Sequence, residues 1–113
     1  MANAYLSRGQ VKGRLHDYRG AIQDFTKVIE LNPEFVDAYL KRGLTKQQLE
    51  DHRGAIQDFN KAIELDPELA AAYRGRGLSK ITLNQKDSGC LDLSKAGELG
   101  APRAYDYIRN FCK

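Results

Sequence analysis

Apolar residues recur along this chain at helical spacing, in short segments separated by polar turns. In one segment they are Ala21, Ile22, Phe25, Val28 and Ile29, at i, i+1, i+4, i+7 and i+8. On a helix this spacing forms an apolar stripe wider than about 100°, as a helix that faces a core requires. The pattern predicts helices over 3–15, 19–31, 37–49, 53–65, 71–83 and 88–99, and a last amphipathic helix over 102–112.

A fixed period organises these segments. Residues 2–35 and 36–69 are identical at 21 of 34 positions, and a third, more divergent copy covers 70–101. Pro33 and Pro67 end the second helix of the first two copies, because the residue before a proline is driven out of the α region. Short turns predict antiparallel helix hairpins. Since one hairpin cannot bury its own apolar face, the copies are expected to stack into an all-α solenoid.

Five residues at fixed spacing give the first two copies a family resemblance. They are Tyr5, Gly9, Ala21, Phe25 and Pro33, and then Tyr39, Gly43, Ala55, Phe59 and Pro67. The pattern resembles the tetratricopeptide repeat. The resemblance implies one domain over residues 1–113, a right-handed α-α superhelix of three helix hairpins with a capping helix at 102–112. The third copy departs from the pattern, with Leu93 in place of the phenylalanine and Gly89 in place of the alanine.

Composition excludes several classes of protein. The 113 residues contain 18 Lys and Arg against 15 Asp and Glu, and a net charge of +3 does not by itself indicate a nucleic-acid or membrane surface. We expect a soluble chain with no signal peptide or transmembrane segment, and its compartment stays open. A start close to a repeat boundary is consistent with a piece of a longer protein. Two cysteines and two histidines match no zinc motif, so we expect neither a metal nor a cofactor.

Glycine recurs in the middle of the predicted first helices, at Gly9, Gly43 and Gly77. Glycine costs about 1 kcal/mol relative to alanine in a helix. Its repetition therefore predicts close approach of the second helix, at Ala21, Ala55 and Gly89.

A column of cations also repeats with the period: Arg8, Lys12, Arg42, Lys46, Arg76 and Lys80. Aspartates recur on the second helices, at Asp24, Asp58 and Asp92. We therefore predict partly exposed pairs between the helices of each hairpin, Arg8 with Asp24, Arg42 with Asp58 and Arg76 with Asp92. The alternative is a basic face that binds RNA.

No arrangement of nucleophile and base suggests catalysis. His16 and His52 lie near turns at non-equivalent repeat positions, and we expect both to be solvated. The chain is not expected to be an enzyme.

The resemblance implies that the first helices line a concave groove that binds a peptide or partner segment. The groove positions would be Leu6, Gln10, Gly13, Arg14, Leu40, Lys41, Leu44, Gln47, Gln48, Arg74, Leu78, Ile81 and Thr82. Family members that grip C-terminal carboxylates of chaperones carry lysine and asparagine where this chain has Leu6 and Gln10. The carboxylate clamp is therefore absent, and the leucine-rich strip suits a peptide with apolar anchors and an acid.

The predicted function is a non-catalytic protein-interaction module, as a monomer or weak homo-oligomer. Self-association through the solenoid ends or faces is the main alternative.

The two cysteines are predicted to meet. Cys90 and Cys112 lie equally far before and after residue 101, so an antiparallel hairpin turning there brings them side by side. A disulfide would depend on an oxidising, extracytoplasmic compartment, and in the cytosol both would be buried thiols.

Overall fold

The computed structural model describes all 113 residues and contains seven α-helices and no strand. The helices are α1 (Ala2–Arg14), α2 (Tyr18–Leu31), α3 (Val36–Gln48), α4 (His52–Leu65), α5 (Ala70–Thr82), α6 (Lys86–Glu98) and α7 (Ala104–Phe111). The first six form three antiparallel hairpins, and each hairpin packs against the next. The molecule is accordingly elongated, 44 × 25 × 21 Å. The all-α solenoid predicted from the repeat is confirmed.

Every hairpin turns in the same way. His16, Glu50 and Asn84, at the same position of successive repeats, have φ of 64°, 62° and 65° and so adopt the left-handed conformation. In the first two hairpins the next residue caps the second helix, because the side chains of Asp17 and Asp51 accept a hydrogen bond from the amide three residues on. In these two hairpins the turn and the cap together fix where the second helix begins.

Phe59 is the centre of the core. Its side chain is fully buried among Tyr39, Ala55 and other apolar residues of α3, α4 and α5. A Cβ added to Gly43 would lie 2.8 Å from the Phe59 ring, and one on Gly75 would lie 2.6 Å from it. The mid-helix glycine therefore makes room for the phenyl ring, whose atoms are the nearest neighbours of the added Cβ. Gly9 meets the ring of Phe25 in the same way, at 2.7 Å.

The third hairpin packs differently. Leu93 stands where the other hairpins have phenylalanine, and a Cβ on Gly77 would meet the Gly89 carbonyl oxygen at 2.8 Å. Here the two backbones approach each other at the facing small residues, as predicted. A branched aliphatic side chain fills less of the interhelical space than a ring, so both helices carry glycine.

Helix α7 packs on the end of α6 through a cluster of small residues, Ala96, Ala101 and Ala104. It begins two residues later than the predicted capping helix, because Pro102 and Arg103 form the preceding turn and Arg103 has φ of 66°. Ala104 follows Ala70, the first residue of α5, by one full period of the repeat. The last helix therefore begins at the position where the first helix of a fourth hairpin would begin.

Candidate functional site

Arginine–aspartate pairs join the two helices of every hairpin. Arg8, Arg42 and Arg76 donate through Nη2 to Oδ1 of Asp24, Asp58 and Asp92 at 2.7, 2.7 and 2.8 Å. The other carboxylate oxygen lies 3.3, 3.2 and 3.0 Å from Nζ of Lys12, Lys46 and Lys80. The three predicted pairs are confirmed, and the cations of the repeated column all face carboxylates of their own chain.

The aspartates of these pairs are buried, whereas the arginines stay partly exposed. Asp24, Asp58 and Asp92 are only 3%, 3% and 7% exposed, because each carboxylate lies inside the hairpin beneath an arginine and a lysine. The hydrogen bond from Arg8 lowers the pKa of Asp24, against the opposing effect of burial. The hydrogen bond to Asp58 likewise raises the pKa of Arg42.

The arginines of the second and third hairpins also bind the preceding hairpin. Nη1 of Arg42 donates to Oγ1 of Thr26 at 3.2 Å, and Nη1 of Arg76 donates to Oδ1 of Asn60 at 3.0 Å. Arg8 lies on α1, and its side chain is 59% exposed against 18% for Arg42. The column therefore serves the architecture of the repeat stack.

A cavity of about 380 Å³ opens between the first and second hairpins. Its lining residues are Gly9, Gln10, Gly13, Arg14, Tyr18, Phe25, Lys41, Leu44, Thr45 and Gln48. Phe25, Tyr18 and Leu44 supply its apolar wall. Arg14 and Lys41 add positive charge, and Lys41 also contacts Asp37 at 3.6 Å.

One difference between repeats lies in the lining of this cavity. Gly13 occupies the repeat position that Gln47 holds one period later, and the Gln47 side chain fills the corresponding space between the second and third hairpins. There Nε2 of Gln47 donates to the Gly75 carbonyl at 2.6 Å and to Oγ of Ser79 at 2.8 Å. Nδ1 of His52 lies 3.1 Å from the same hydroxyl, so the prediction that this histidine is merely solvated was wrong.

Six of the thirteen residues mapped to the groove line this cavity. They are Gln10, Gly13, Arg14, Lys41, Leu44 and Gln48. They come from two consecutive first helices, α1 and α3. Leu6 and Leu78 are half-buried on their helices and do not line it, and neither does Thr82.

The remaining four residues are engaged within the molecule. Leu40 packs against the core around Phe59. Gln47 is held between hairpins as described, and Nη1 of Arg74 donates to the Pro102 carbonyl at 3.0 Å. Ile81 lies beside Gly89 of its own hairpin, 2.8 Å from where a Cβ would stand. Packing between and within hairpins thus uses part of the strip that the sequence assigned to a groove.

Sequence reasoning missed Tyr18 and Thr45 as lining residues. Thr45 corresponds to Ser79 in the next repeat, and both lie where one hairpin meets the next. A comparison of Gly13 with Gln47 would have indicated that the first of these junctions lacks a side chain that the second has.

Cys90 on α6 and Cys112 at the end of α7 are paired in the structure, with Cα atoms 5.9 Å apart. The pair connects the last helix to the third hairpin. None of the seven helices combines the length and the apolar character needed to cross a bilayer.

The repeat, the hairpins and their packing define a helical repeat protein. The tetratricopeptide repeat family model matches residues 2–35 and 36–69, and the chain belongs to this family. Its repeats are those of a protein-interaction scaffold. No curated protein sequence matches the chain significantly.

Solved structures share the whole fold. The first tetratricopeptide domain of Spaghetti (RPAP3), bound to the HSP90 peptide SRMEEVD, has a TM-score of 0.94 at 22% identity, over 98% of this chain and 90% of that one. At that identity the likeness concerns the fold alone. Two crystal structures of MamA have TM-scores of 0.85 and 0.83 at 28% identity and cover 93% of this chain. This chain spans 61% and 57% of those two chains.

Proposed function

We propose that the chain is a non-catalytic module that binds a peptide or partner segment across its first helices, centred on the cavity between α1 and α3. The single observation that supports this is the cavity itself, an opening of about 380 Å³ with an aromatic and aliphatic wall. Concave sites with apolar walls and a few polar groups are typical of ligand binding. The RPAP3 domain, which has the same fold, was solved with a peptide bound.

The partner is expected to differ from a chaperone tail. Leu6 and Gln10 replace the lysine and asparagine with which clamp-type relatives hold a terminal carboxylate. Arg14 and Lys41 nevertheless make the surroundings of the cavity positive. A peptide with apolar anchors and an acidic residue suits this combination.

Leu44→Glu tests the proposal. Leu44 is 36% exposed and lines the cavity, so a carboxylate there disrupts the apolar wall at little cost to folding. Peptides selected from a random phage library on the wild-type domain are expected to bind the variant at least about tenfold more weakly. Helicity and melting temperature should stay nearly unchanged.

Leu91→Glu is the matched control, since Leu91 is 73% exposed on α6 and lies away from the cavity. Equal loss of binding in both variants would contradict the proposal. So would a library that yields no binder, or a Leu44→Glu variant that unfolds.

A specific observation also favours self-association as a second candidate. Ala4, Arg8 and Val11 on α1 are exposed, whereas Ala38 and Ala72, which correspond to Ala4, are fully buried by the preceding hairpin. The face of α1 that corresponds to these buried positions of α3 and α5 is therefore exposed. Sedimentation over a range of concentrations tests this candidate, and a mass that stays monomeric contradicts it.

A further inference from the structure

We propose that the cavity beside Gly13 receives a carboxamide side chain, a glutamine or asparagine of the bound peptide. The inference rests on the proposed function, because it names the chemistry of one residue of that peptide. It arises from a comparison of two equivalent junctions within the same molecule.

The junction between the second and third hairpins already holds such a group. The carboxamide of Gln47 reaches across from α3 and donates to the carbonyl oxygen of Gly75 and the hydroxyl of Ser79 on α5. One period earlier the corresponding groups on α3 are the carbonyl of Lys41, which already accepts a hydrogen bond from Thr45, and the hydroxyl of Thr45 itself. In place of the carboxamide this junction has Gly13 and an open cavity.

The hydroxyl oxygen of Thr45 can accept a hydrogen bond from a ligand. It donates its own proton to the Lys41 carbonyl at 2.7 Å, and no donor of the chain bonds to its oxygen. Thr45 is 8% exposed and lines the cavity. A hydroxyl oxygen accepts up to two hydrogen bonds, so a ligand N–H that enters the cavity finds an unused acceptor.

Charge selects among the donors that a peptide can offer. Arg14 and Lys41 both line the cavity and disfavour a lysine or arginine side chain. A carboxylate is attracted by these cations but has no hydrogen to donate to Thr45. A carboxamide is neutral and brings the N–H donor that the second junction uses.

Neither packing nor backbone conformation requires a glycine at position 13. A Cβ added to Gly13 would meet nothing within 4 Å, and its φ is not positive. A glycine in a helix destabilises it relative to alanine. What the glycine provides in this structure is the empty space itself.

The first experiment asks whether the site accepts a carboxamide, and it needs no peptide. Gly13→Gln restores the residue of the second junction, and Gly13→Ala is its control. We expect Gly13→Gln to melt about 2–4 °C above Gly13→Ala, since it gains a hydrogen bond. This difference in melting temperature should disappear when Gly13→Gln and Gly13→Ala are each combined with Thr45→Val. A Gly13→Gln variant no more stable than Gly13→Ala, or an excess that survives Thr45→Val, overturns the inference.

The second experiment examines the ligand. Peptides selected from a random phage library on the wild-type domain should share a glutamine or asparagine at one position. Replacing that residue with glutamate should weaken binding to the wild type about tenfold, and have little effect on binding to Gly13→Gln. Binders without such a position overturn the inference and leave the proposed function standing. A library without binders overturns both, whatever the melting temperatures.

Discussion

Arg42 and Asp58 form a two-point hydrogen-bonded pair across the middle hairpin. Nε of Arg42 donates to Oδ2 at 2.9 Å and Nη2 donates to Oδ1 at 2.7 Å. The guanidinium and carboxylate planes match in such a pair, which fixes the geometry as well as adding energy. Because the carboxylate is almost fully buried, removal of its charge leaves the cations of Arg42 and Lys46 without their counter-charge inside the hairpin.

Asp58→Asn is therefore expected to destabilise the domain by about 1.5–3 kcal/mol, the range for hydrogen bonds to charged groups. This is larger than the loss expected for an exposed pair. Urea denaturation at neutral pH measures it. Asp24→Asn is the matched control and should cost less, because Arg8 stays exposed to water. Equal and small losses at both sites would show that burial of Arg42 contributes nothing.

The pKa of Asp24 predicts a dependence of stability on pH. The hydrogen bond from Arg8 holds this pKa below its value in the unfolded chain, so the folded state favours the ionised carboxyl. The resulting stability is complete above the unfolded pKa of about 4 and is lost as the pH falls through the folded pKa. The difference in unfolding free energy between wild type and Asp24→Asn should thus be constant from pH 7 to about pH 5 and shrink below that. A difference that grows on acidification would contradict the assignment.

The period of the repeat was enough to predict the solenoid and the arginine–aspartate pairs. Both follow from local geometry, since an antiparallel hairpin of known turn position brings Arg42 opposite Asp58. The burial of the Asp58 carboxylate was not predictable, because it depends on how the lysine and arginine side chains cover it. The contact between Gly43 and the Phe59 ring was also not predicted, because it depends on the position that this ring takes between the helices.

The cavity was predicted only in part for a related reason. The groove was mapped by assigning the same repeat positions in every repeat. The junction beside Gly13 is open, however, whereas the Gln47 side chain occupies the next junction. Arg74 and Ile81 were assigned to the groove by position, but the turn at Pro102 and the backbone at Gly89 contact them. Contacts made at the end of the stack cannot be inferred from the period.

Two glycines of helix α1 should respond in opposite ways to the same substitution. Gly9→Ala places a methyl group 2.7 Å from the Phe25 ring and is expected to destabilise the domain by about 1–3 kcal/mol. Gly13→Ala meets no neighbour and is expected to stabilise it by up to about 1 kcal/mol. Thermal unfolding followed by circular dichroism compares the two. A melting temperature of Gly13→Ala below that of the wild type would mean that folding requires the open space at Gly13.

The last prediction concerns Cys90 and Cys112, whose Cα atoms, 5.9 Å apart, lie within the usual range for a disulfide. We propose that the bond forms when the chain is in an oxidising compartment. It closes a loop of 22 residues, which in the chain-entropy model corresponds to about 3 kcal/mol. Reduction should therefore lower the melting temperature of the wild type and leave that of Cys112→Ser unchanged.

The rest of the domain should keep its fold on reduction. Phe59 and the arginine–aspartate pairs lie in the first six helices, and α7 touches only the end of this stack. Hydrogen exchange is expected to accelerate first in α7, while the amides around Phe59 remain protected. Uniform acceleration through all seven helices would instead show that α7 and the hairpins unfold as one cooperative unit.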